Sequence, residues 1–215
     1  MKKNIFSVLS VLFLSAVSCQ AYPINIPSSI LKTHTEPFIS HRGDGPFDTA
    51  LALNVTCEPV RRARIQITNA LNMYLDYFKG WNPQGEAHVT VITPVEYWQA
   101  LRRYISIDEI EAIALRNNVQ GSDFKVLGVG SGKAVVDGRT EETFFFVAES
   151  SNLRRIRQQI YSKFLENGGR PGAFSPGDFY PHITIGYTKR DLHIQDGVIK
   201  DMPHSEDKRF EVSMF

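Results

Sequence analysis

The chain has 215 residues, 42% of them apolar and 22% charged, with 24 basic against 23 acidic side chains and a formal charge of +1. That length is enough for one domain with a sizeable core, and the composition is that of an ordinary soluble globular protein. The near-neutral balance excludes a long non-specific nucleic-acid track, which would show a basic surplus, but leaves room for a nucleotide or RNA end held by a few donors.

The opening, MKKNIFSVLSVLFLSAVSCQAYP, carries Lys2 and Lys3, an uncharged run from Ile5 to Val17, and the small residues Ala16, Ser18 and Ala21. It reads as a signal peptide over 1–21, because the apolar run is too short to span a bilayer and small residues suit processing after Ala21. A lipoprotein acceptor at Cys19 competes with this, weakened by Ala16 where such a box has leucine. The expected location is therefore secreted or periplasmic, with no transmembrane span. Without residues 1–21 the only cysteine is Cys57, so no internal disulfide can form. Residues 22–47 hold Pro23, Pro27, Pro37 and a Gly-Asp-Gly-Pro turn signal, and read as an extended lead-in with His34 and His41 as solvated loop side chains. Residues 48–215 then form a single domain, expected as a monomer, with a polar C-terminal tail.

Within that domain TALALNVTC at 49–57 reads as a strand, and Pro59 suits the first turn of a helix. Ala63, Ile67, Ala70, Leu71, Tyr74 and Phe78 keep helical spacing up to Gly80. AHVTVI at 87–92 is a second strand. Thr93 with Glu96, and Ser106 with Glu109, spell two capping boxes and hence two short helices. FKVLGVGSGKAVV, broken by Gly128, Gly130 and Gly132, reads as one or two strands with a turn. It is not a phosphate loop, since the glycine spacing is wrong and Lys133 is followed by Ala134. ETFFFVAES at 142–150 is a further strand. Ser150 or Ser151 then caps a helix with Leu153, Ile156, Ile160 and Phe164 on one face, and with Arg154, Arg155 and Arg157 expected on a solvated one. A Gly- and Pro-rich loop, 168–178, leads to FYPHITIGYTKR.

HVTV at 88–91 and HITI at 182–185 share one form: histidine, β-branched, threonine, β-branched. Residues i and i+2 share a strand face, so His88 points with Thr90 and His182 with Thr184, while Val89, Val91, Ile183 and Ile185 point to a core. Buried core histidines satisfied by backbone carbonyls are the plainer alternative, which the matched threonines and matched preceding architecture argue against. A zinc site lacks partners at ligand spacing, so no metal and no cofactor are expected. Two imidazoles flanking a phosphate can remove a proton from water and give one to a leaving oxygen, while Thr90 and Thr184 supply hydroxyls to the phosphoryl oxygens. Period-two alternation puts Tyr180 on the His182 face and Tyr187 opposite, unless the strand bulges near Gly186; both are candidates to line a cleft.

These paired motifs, in the order strand, helix, His-strand, helices, strands, helix, His-strand, resemble the two-histidine (2H) phosphoesterase superfamily over about residues 48–190. Its members include the bacterial and archaeal RNA 2′,3′-cyclic phosphodiesterases, also described as 2′-5′ RNA ligases, and the plant and fungal cyclic phosphodiesterases. KVLGVGSGKAVV followed by TFFFVAES looks like the family's glycine-bearing and central strands, and FYPHITIGY like its second motif. The resemblance implies an α+β, two-lobed, pseudo-symmetric fold with antiparallel sheets flanked by helices around a central cleft. It implies the same roles for His88, Thr90, His182 and Thr184, and a nucleotide or RNA-end substrate. Cyclic-phosphate hydrolysis, 2′-5′ ligation or cleavage, and an exported binding module that does not cleave all remain open from the residues alone.

Overall fold

The computed structural model describes residues 20–80 and 85–215. Cys19 and the body of the signal segment lie outside the described residues. The strands are β1 (Tyr22–Ile26), β2 (Leu51–Asn54), β3 (His88–Ile92), β4 (Lys125–Val136), β5 (Arg139–Glu149), β6 (His182–Tyr187) and β7 (Phe210–Met214). The helices are α1 (Cys57–Leu71), α2 (Pro94–Glu96), α3 (Ile107–Arg116), α4 (Ser151–Glu166) and α5 (Met202–Ser205). Five strands make one antiparallel sheet in the order β2-β3-β6-β5-β4, and β1 pairs in parallel with β7. This is a mixed α+β fold. No helix among the described residues is long and apolar enough to cross a membrane.

Alternation along the central strands sets the layers. Val89, Val91, Ile183, Ile185, Phe144 and Phe146 are buried in one core with Leu153, Ile156, Ile160 and Phe164 of α4 and Val60, Ala63 and Ile67 of α1. The other sheet face carries His88, Thr90, His182 and Thr184. There Phe145 and Val147 are covered by Leu192 and Val198. Both capping boxes are present, with Thr93 and Ser106 accepting from the N–H three residues on and each glutamate reaching back.

The structure departs from the sequence reading in four places. Helix α1 stops at Leu71 because Asn72 adopts the left-handed conformation at φ 48°, so Tyr74 and Phe78 lie on a separate segment rather than on the helix. The three glycines of β4 do not turn the chain. The strand runs through them, and the hairpin turns at Asp137-Gly138, both at positive φ. Gly130 and Gly132 instead permit close packing, since a Cβ there would meet the Phe145 ring at 2.4 Å and the Val198 side chain at 2.3 Å. Arg157 is buried on α4 rather than solvated: its Nη1 donates to the Val91 carbonyl at 2.7 Å and its Nη2 to Glu96 Oε1 at 2.8 Å.

The fourth departure concerns both ends. Residues 22–47 are not a mere lead-in: β1 pairs with β7, and Ile24, Ile26 and Ile30 are fully buried in the main core. Nor is the segment after Arg190 a loose tail. Leu192, Val198, Lys200, Ser205, Asp207 and Phe210 are buried, and the Asp207 N–H bonds the Val129 carbonyl on the outer edge of β4.

Candidate functional site

The site begins with one backbone pairing. Val89 of β3 stands opposite Ile183 of β6 in an antiparallel ladder. Carrying that register one residue either way sets His88 opposite Thr184 and Thr90 opposite His182. All four point away from the core, which takes the two apolar residues between them. The histidines are then diagonal neighbours, about 7–8 Å apart in an antiparallel sheet. A tetrahedral phosphate with a hydrogen bond to each ring fits in such a gap.

Three side chains gather at His88. Glu86 Oε1 is 3.6 Å from Nδ1 of His88 and 3.7 Å from Nε2 of His41, and these three atoms are buried with no hydrogen-bond partner among the described residues. The His41 and His88 rings lie 5.6 Å apart, and the half-exposed Phe78 meets His88 edge-on at 5.7 Å. Burial, and then His88, hold the His41 imidazole below its ordinary value. Glu86 is held below the usual carboxylate range, first by its approach to His88, against the opposing effect of burial.

His182 sits in a more enclosed setting. Its Nδ1 lies 2.7 Å from the Tyr180 carbonyl, its ring meets Phe145 edge-on at 5.8 Å, and Lys200 Nζ stands 3.2 Å from Nε2. The residue keeps some accessible surface, but the ring is packed round by these groups. Burial first, and then the Lys200 ammonium, push its pKa down to about 3, against the opposing pull of Asp191. Asp191 is bonded by Lys200 through both oxygens at 2.8 Å, by Thr184 at 2.9 Å and by Thr143 at 2.6 Å. Burial, the largest single influence, would raise its carboxyl, but Lys200 together with His182 and His193 outweighs that and holds it well below the usual range.

The six residues singled out in the sequence therefore fall as follows. His88, Thr90, His182 and Thr184 share one face of two adjacent strands. The Thr184 hydroxyl proton is committed to Asp191, so in this arrangement it does not point at a ligand. Tyr180 serves His182 through its backbone carbonyl. Tyr187 follows a register shift in the β5–β6 ladder, so strict alternation does not carry from Thr184 to it. Its backbone bridges Asp76, and burial raises its hydroxyl above the ordinary value.

Sequence reasoning takes His41 for a solvated loop side chain, whereas its Nε2 is buried beside Glu86, and it misses Glu86, Asp191 and Lys200. Glu86 alone carried a local signal, two residues before His88 and so at strand spacing on its side. His41 arrives from a segment distant in sequence, and Asp191 and Lys200 come from the stretch after β6, where no periodic pattern points them at His182. Among the described residues no group of three or more His, Cys, Asp or Glu side chains is placed to hold a metal ion.

Against this geometry, the family model described as Swiss Army Knife, 2H phosphoesterase domain, matches residues 51–193. That span contains both His-x-Thr strands and the β4–β5 hairpin between them. No curated protein and no solved structure matches the chain.

Proposed function

Because the chain belongs to the 2H phosphoesterase family, we propose that it is a phosphodiesterase that opens 2′,3′-cyclic phosphates of nucleotides or RNA ends by acid/base catalysis between His88 and His182. The observation that carries this reading is the Val89–Ile183 pairing, which brings two histidines and two threonines onto one sheet face. One imidazole takes a proton from water as the water oxygen attacks phosphorus. The other gives a proton to the ribose oxygen as its bond to phosphorus breaks. Both transfers are made by side chains already present, so the reading asks for no metal. Thr90 is the donor to the phosphoryl oxygens, and Thr184 joins it by releasing Asp191. The two halves of the chain, each ending in a His-x-Thr strand, form the two sides of the substrate site, with Tyr180 at its margin. The reading includes export by residues 1–21, action as a monomer, and a substrate met outside the cytoplasm.

The test is hydrolysis of 2′,3′-cyclic nucleotides and cyclic-phosphate-ended RNA with EDTA present. The expected result is turnover that survives chelation and falls about 10²–10⁴-fold in each of His88→Ala and His182→Ala. Activity lost with EDTA, or retained in either variant, would sink the two-histidine mechanism. Product analysis separates cyclic-phosphate opening from 2′-5′ cleavage or ligation.

A further inference from the structure

The second His-x-Thr motif is held by groups that the hydrolysis reading leaves unused. Lys200 is 3% exposed, and its ammonium makes three bonds: two to Asp191 at 2.8 Å and one to Nε2 of His182 at 3.2 Å. A carbonyl can only accept, so Nδ1 of His182 must carry the proton that meets the Tyr180 oxygen. Burial lowers the Lys200 pKa, but Asp191, bonded through both oxygens at 2.8 Å, opposes this and keeps the amine charged; an ammonium can only donate, so Nε2 must offer its lone pair to Lys200. Both contacts are satisfied at once only by the neutral ring in its Nδ1–H form. An imidazolium would set an N–H against a cation. The other groups facing this ring are few: Asp191 and His193 from the segment after β6, the Phe145 ring from β5, and Thr90 from β3 with His88 diagonally beyond.

We propose that Lys200 is a positioning residue that keeps His182 neutral and caps its Nε2 lone pair, making His182 the proton acceptor of the pair and His88 the donor. The acid and base roles rest on the phosphodiesterase reading; the charge and tautomer of His182 do not. The bond to His182 is the longest of the three that Lys200 makes. The anionic oxygens of a bound diester are stronger acceptors than an imidazole nitrogen and compete for that third proton, so the lone pair is released where substrate is present. The water oxygen then bonds to phosphorus while one of its protons passes to Nε2 of His182. The ribose oxygen leaves phosphorus and takes the proton from His88. His182 ends charged and His88 neutral, and both exchange with solvent to reset. Glu86 completes the asymmetry, with a carboxylate 3.6 Å from Nδ1 of the first histidine where the second has an ammonium at Nε2.

The experiment is a pH titration of the full chain by long-range proton–nitrogen correlation of the histidine rings, without substrate. In the wild type His182 is expected as the Nδ1–H tautomer, neutral from about pH 5 to 8. Lys200→Met should raise its midpoint by about 1–3 units and give kcat/KM an acid limb that the wild type lacks. Lys200→Met leaves Asp191 without its buried partner, so Lys200→Met with Asp191→Asn repeats the measurement with that charge removed. A wild-type His182 that titrates above about pH 6, an Nε2–H tautomer, or an unmoved midpoint in both variants would overturn the proposal. A chain with the expected titration that cleaves no phosphodiester would overturn the acid and base roles while leaving the ring's neutral state standing, which keeps the two failures apart.

Discussion

Arg157 is 1% exposed on a helix where its charge suggested a solvated face. Its spacing suggested otherwise: positions 153, 156, 157, 160 and 164 follow one helical stripe, and all five are buried. The guanidinium is tolerated there because its donors are met by Glu96, by the carbonyl of Val91, the last residue of the first motif, and by the Ser175 and Pro176 carbonyls of the loop before the second. One side chain thus ties the approaches to both histidine strands. Replacing Arg157 by Met should cost roughly 3–5 kcal/mol in urea unfolding, because it leaves several buried acceptors and a carboxylate without their donor. A cost under about 1 kcal/mol would mean that these bonds contribute little beyond packing. His88 and His182 were legible as a pair because a strand exposes its period in sequence. Lys200 was not, because a lysine in a polar stretch looks solvated until the fold encloses it.

At the scale of elements, β6 shows how a local irregularity serves the site. Its register against β5 shifts beside Ile185, and Arg64 from α1 donates to the carbonyl of Ile185 at 3.2 Å. Gly186 follows, and the strand then bridges Asp76 through the pair Asp76 N–H to Tyr187 oxygen at 2.8 Å and its reciprocal at 2.9 Å. That bridge holds the segment carrying Phe78, whose ring stands against His88. A Cβ at Gly186 would meet the Asp76 carbonyl oxygen at 2.9 Å, which is backbone and cannot swing aside. Gly186→Ala should therefore cost about 1–3 kcal/mol in thermal unfolding, with reduced turnover as Phe78 shifts. An unchanged Tm would show that the segment yields freely. The strands and both capping boxes were readable from alternation and from the cap residues. The end of α1 was not, because apolar spacing continues past Asn72 and only the left-handed backbone there stops the helix.

For the whole molecule, the two ends close on one another: β1 and β7 pair, and Arg209 bridges Glu142 of β5 at 2.6 Å. The near-balance of 24 basic and 23 acidic side chains makes sensitivity to pH a matter of particular groups rather than of net repulsion. His182 is pushed down to about 3 when folded from an ordinary 6.5, so between those values the unfolded chain binds more protons than the folded one. Stability is then full above about pH 6.5 and drains as pH falls toward 3. His41, also lowered, acts in the same sense. Asp191, lowered as a carboxylate, adds stability that is lost only below its unfolded value near pH 4. The wild type should lose about 1–2 kcal/mol between pH 7.5 and pH 5 by urea midpoint, and His182→Asn should lose less. Equal midpoints at the two pH values would show that His182 titrates normally in the folded chain.

The family, the mixed α+β character and the two His-x-Thr strands were determined by the sequence alone, because alternation, cap residues and a repeated four-residue form are local properties that folding does not rearrange. Only the tertiary structure decided that Lys200 and Asp191 lie against one histidine while Glu86 and His41 lie against the other. Those neighbours lie outside the two four-residue forms, and their effect depends on burial, which no single stretch of residues specifies. The two histidines match in sequence but differ in their surroundings, because a carboxylate was folded beside one and an ammonium beside the other.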